Sequence, residues 1–92
     1  MTAEKSFLSA LEAFRDARTE EAHAEACRRA LDYVDTVRDS ISVQELIVSI
    51  KRFAFQAGLI DTLESRPGDT RAIHDARVDT IIGRAIAHYF AR

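Results

Sequence analysis

Apolar residues recur along this 92-residue chain at i, i+3, i+4 and i+7 almost from end to end, and no segment alternates with period two for long enough to suggest a strand. The pattern predicts an all-α fold. The expected architecture is a compact bundle of four helices, or five if a further turn or two after Gly58 counts as its own element, in a single domain spanning residues 1–92. The first helix starts after Thr2, with Phe7, Leu11 and Phe14 one turn apart and Leu8 and Ala10 beside them, and ends near Ala17 or Arg18. Thr19 followed by Glu20 and Glu21 reads as an N-cap with acids in the first turn. A second helix then runs over about residues 20–38 and buries Cys27, Ala30, Leu31, Val34 and Val37. Ser42-Val43-Gln44-Glu45 fits a capping box, and Ile41 and Leu46 are placed as a hydrophobic staple.

The third helix carries two stripes. Val43, Leu46, Ile47, Ile50, Phe53, Ala54 and Ala57 make a full core-facing side, whereas Val48, Phe55 and Leu59 fall on the other side, among Gln44, Glu45, Lys51 and Arg52. An ordinary surface helix keeps that second side polar, so this helix is expected either to be central in its bundle or to be shared with another chain. Arg66-Pro67-Gly68-Asp69 stops the pattern. A last helix, from Asp69 or Thr70 to the C-terminus, presents His74, Val78, Ile81, Ile82, Ala85 and Tyr89 on one side. Its nearly opposite side is small: Ala72, Ala76, Thr80, Gly83 and Ala87. A glycine in mid-helix costs about 1 kcal/mol relative to alanine, so Gly83 calls for a packing reason, either inside the chain or against a second copy. Arg77 and Arg84 border the small side on one edge and Asp75 and Asp79 on the other, edges that an antiparallel copy is expected to match.

Composition narrows the function classes. With 47% apolar and 30% charged residues, one Pro and three Gly, the chain has the balance of an ordinary globular domain rather than a disordered one. A net charge of −2 supplies no overall attraction to nucleic acid or anionic lipid. No apolar run approaches the roughly 18 residues of a membrane span, and Glu4, Lys5 and Glu12 interrupt the stretch where a signal peptide would be apolar. Cys27 has no partner for an internal disulfide. A cytoplasmic location is expected.

Candidate chemistry is sparse. Glu20, His23 and Cys27 occupy successive turns of one helix and could face one cation, but the facing stripes are Phe7, Leu11 and Phe14 on helix one and aliphatic on helix three, which offer no further ligand. His74 and His88 are too far apart to share a ligand, and no Ser, Cys or Asp stands at a relay distance. Arg28 and Arg29 are the cations expected beside Cys27, whose apolar stripe is the setting of an inert thiol. Gly58, Gly68 and Gly83 are scattered and form no phosphate-binding loop. No catalytic residue, metal, cofactor or small-molecule substrate is expected.

Two short segments resemble known families. Ala54-Phe55-Gln56-Ala57-Gly58-Leu59 is similar to the turn of a helix-turn-helix, which would imply a DNA-reading helix over residues 60–65; the polar positions there are Asp61, Thr62 and Glu64, and acids repel phosphates. Asp39-Ser40-Ile41 followed by Glu45-Leu46-Ile47 resembles the serine-bearing turn of acyl carrier proteins, which would imply a phosphopantetheine arm on Ser40; the glycine that usually precedes this serine turn is absent. The expectation placed ahead of both is a non-enzymatic helical module that binds another protein, as a homodimer or in a hetero-complex. Its partner-binding residues would be Val48, Phe55, Leu59, Ala76, Thr80, Gly83 and Ala87.

Overall fold

The structure, a computed structural model, describes residues 2–61 and 76–91. Among them are four helices and no strand: α1 (Ala3–Ala17), α2 (Glu20–Val37), α3 (Val43–Gln56) and α4 (Ala76–Phe90). No described helix is long and apolar enough to cross a membrane. α1 and α4 each pack on both α2 and α3, so the order around the bundle is α1, α2, α4, α3.

Three caps fix where helices begin. The Thr2 hydroxyl accepts from the Lys5 N–H and the Thr19 hydroxyl from the Ala22 N–H, each at 3.1 Å. Ser42 and Glu45 exchange the two bonds of the capping box, both at 3.2 Å. Each cap satisfies an amide that has no partner inside its helix, a contribution of about 0.5–2 kcal/mol. Arg18, in the left-handed region with φ of 47°, separates α1 from α2 and lays its guanidinium 4.5 Å over the Phe14 ring. The helix ends are closed from elsewhere. Arg15 of α1 donates to the Ala57 carbonyl at 2.9 Å, and Arg38 donates to the His88 carbonyl at 2.7 Å. These cations stand at the negative ends of α3 and α4, and α3 has no basic residue in its own last turn.

Gly58 ends α3 rather than kinking it. At φ of +81° it turns the chain so that the Leu59 N–H reaches the Ala54 carbonyl at 2.9 Å and the Gly58 N–H reaches that of Phe55 at 3.1 Å, the paired bonds of a Schellman motif. This reversal overturns one expectation. Leu59, extrapolated along the helical period onto the outer stripe, is instead 3% exposed and belongs to the core with Ile60. Residues 59–61 are not helical, so neither a further helical turn nor a DNA-reading helix begins there. Thr62, Glu64, the stop at Arg66-Pro67-Gly68-Asp69, the start of the last helix at Asp69 or Thr70, Ala72, His74 and Asp75 lie outside the described residues.

Phe7, Leu11, Val34, Leu46, Ile50, Val78 and Ile81 are the largest fully buried side chains. Phe7, Tyr33 and Phe53 form an aromatic triangle with ring centroids 5.4–6.1 Å apart. Because Tyr33 joins that triangle, the buried side of α2 is rotated from the one the spacing suggested. His23, Ala26 and Tyr33 are inside with Cys27, Ala30 and Val34, whereas Leu31 and Val37 are only partly buried.

Candidate functional site

The two flanks of α4 are built differently. Toward α2, Arg77 donates from Nη2 to Glu20 Oε1 at 2.6 Å and from Nη1 to His23 Nδ1 at 3.2 Å. A guanidinium has no acceptor, so Nδ1 must supply a lone pair and the His23 proton sits on Nε2. Nε2 in turn stands 3.8 Å from Cys27 Sγ. His23 is 6% exposed and rests against the Phe14 ring at 5.5 Å. Farther along, His88 Nε2 meets Asp35 Oδ1 at 2.8 Å.

This arrangement decides the fate of the Glu20, His23 and Cys27 constellation. Arg77 occupies both the carboxylate and Nδ1, and no group of three or more metal-ligating side chains comes together among the described residues. With its proton on Nε2 and its other nitrogen engaged, His23 cannot take a proton from the thiol. Burial pushes the Cys27 thiol up, and the weaker opposing influence of Arg84 and Arg77 does not reverse it. The thiol therefore stays protonated at neutral pH. Arg77 and Arg84, not Arg28 and Arg29, are the cations acting on it; Arg28 and Arg29 both pair with Glu25. A surface cleft of about 320 Å³ opens over Cys27, edged by Ala24, Leu31 and Arg84.

Toward α3 the picture reverses. Phe53 turns to α1 and α2, and Val48 and Phe55, on the opposite side of α3, face solvent. Arg77 and His88 point at α2, which leaves Asp79, Ile86 and Phe90 on the α4 flank that looks toward α3. The Tyr89 hydroxyl donates to the Ile41 carbonyl at 2.8 Å and so sets the end of α4 beside the start of α3. Val48 is 45%, Phe55 49% and Phe90 66% exposed. Ala76, Thr80, Gly83 and Ala87 are all exposed, and a β-carbon added at Gly83 would meet nothing within 4 Å.

Six of the seven residues singled out by spacing are thus exposed, two on α3 and four on α4, and Leu59 is not. α3 is not central: its second stripe is at the surface. Phe90 was missed. Its signal was present, since it follows Gly83 by two helical turns and therefore borders the small side rather than the core. A shallow groove of about 330 Å³ runs along outer α3, lined by Gln44, Glu45, Val48, Ser49 and Arg52. Ser40, the residue of the carrier-like turn, is exposed just after α2, and its N–H bonds the Val37 carbonyl at 2.8 Å. Compared with known proteins, the chain matches no family model, no curated protein and no solved structure.

Proposed function

We propose that this chain is a non-enzymatic helical module that binds protein through the outer side of α3 and α4, and that it pairs with itself through the small side of α4. The observation that carries the reading is Gly83. A mid-helix glycine is unfavourable, no neighbour among the described residues requires it, and the residues on either side along the same face are also small. Small side chains let a second helix axis come close, and the exposed Val48, Phe55 and Phe90 beside them add apolar area. Each large side chain of this kind, fully buried at an interface, is worth about 1.5–3 kcal/mol.

The antiparallel pairing suggested by the charged edges is corrected by symmetry. A twofold axis across two antiparallel helices brings each edge against its own copy, Arg84 against Arg84. Opposite edges meet only when the two α4 helices run in the same direction. Arg77 is in any case already engaged by Glu20 and His23. Light scattering coupled to gel filtration tests the proposal: a dimer is expected for the natural chain, and a folded monomer for Gly83→Leu. A strict monomer at all concentrations overturns self-pairing.

A further inference from the structure

The outer face of α3 has a chemistry that the small side of α4 lacks. Val48 and Phe55 stand two turns apart on one flank, about 10 Å along the axis, the spacing of anchor residues on a helix laid alongside. Lys51 and Arg52 lie between them in sequence, and neither has a hydrogen bond or ion pair to any other described residue. Among the other described arginines, Arg15, Arg28, Arg29, Arg38 and Arg77 hold carboxylates or carbonyls, whereas Arg84 on α4 is exposed without such a bond. The one carboxylate on the groove, Glu45, is turned back to the Ser42 N–H by the capping box. An otherwise acidic protein thus presents two apolar anchors flanked by two uncommitted cations.

We infer that this outer face of α3 docks an acidic amphipathic helix of a partner protein, which places apolar side chains on Val48 and Phe55 and carboxylates on Lys51 and Arg52. The inference rests on the protein-binding reading above and names the partner's chemistry. A second copy does not fit as well, because the exposed acids Glu4 and Asp16 of α1 and Glu21, Asp32 and Asp35 of α2 have no large exposed apolar residue among them. Two cations are too few to hold a nucleic-acid backbone or an anionic membrane against a net charge of −2.

The test uses the full chain and a fluorescent synthetic peptide helix with leucines along one face and glutamates on its borders, read by anisotropy. A scrambled peptide, a peptide with lysine for glutamate, a DNA duplex and vesicles of anionic phospholipid serve as alternatives. The expected result is saturable binding of the glutamate peptide only. It weakens about tenfold in Phe55→Ser, and preference shifts to the lysine peptide when Lys51→Glu and Arg52→Glu are combined; the far-ultraviolet spectrum of each variant reports that it is folded. Equal binding of the scrambled or lysine peptide, of DNA or of vesicles overturns the inference. So does a dimer of the natural chain that Phe55→Ser dissociates, since this face is then occupied by a second copy. A monomer that binds the glutamate peptide refutes self-pairing and leaves this inference standing.

Discussion

α4 joins the bundle along two flanks that obey opposite rules. On the α2 flank the polar groups brought to the seam find partners inside the chain, Arg38 Nε excepted: Arg77 serves Glu20 and His23, His23 serves Cys27, and His88 serves Asp35. On the α3 flank Val48, Phe55, Phe90 and Gly83 are apolar or small, and all four are exposed. Burying a polar group without a partner costs more than exposing an apolar one. Closing the first flank therefore stabilises the fold through the buried His23 imidazole. The second can be left open, and its open state is informative only because so many of its residues are the wrong type for water.

The largest effect should come from breaking the closed flank. Arg77→Leu leaves His23 Nδ1 without its donor at a buried position, with an expected loss of about 1–3 kcal/mol in urea unfolding. Val48→Ser, on the open flank, should change stability by less than about 0.5 kcal/mol in the same measurement. Comparable losses would mean that the outer side of α3 is part of the fold after all.

A smaller effect of opposite sign is expected at Gly83. Gly83→Ala adds a β-carbon into open space and removes backbone freedom from the unfolded chain, so the monomer should gain about 0.5–1 kcal/mol. Destabilisation would reveal a contact inside the chain.

The smallest effect concerns acid. The Arg77 hydrogen bond and charge hold the exposed Glu20 carboxyl below its ordinary value of 4.5. Because the folded state binds this proton less readily than the unfolded state, the associated stability is present above that value and is lost as pH falls through the lowered one. The unfolding midpoint should therefore fall slightly more steeply below about pH 4.5 in the natural chain than in Glu20→Gln.

Where helices begin was legible because capping is local: Thr2, Thr19 and the Ser42 and Glu45 pair each announce a start within four residues of sequence. The exposed stripe of α3 was legible for a related reason, since periodicity alone assigns Val48 and Phe55 to the side opposite Leu46 and Ile50. Leu59 was not. Its place depends on a left-handed Gly58, and a helical period cannot be extrapolated past a residue that reverses the chain. The α2 seam was legible only in part, because Arg77 and His23 meet through tertiary packing of two helices far apart in sequence. Nothing in either local segment announces that the carboxylate and imidazole of a possible chelate will be filled by a guanidinium.

The borrowed caps have a consequence for how the chain can be divided. α3 and α4 hand their last carbonyls to Arg15 and Arg38, residues that precede both helices and that emerge earlier during synthesis. The outward-facing half is thus finished by the half that keeps to itself, and a fragment holding only α3 and α4 would fray at both C-terminal ends, where Phe55 and Phe90 are displayed.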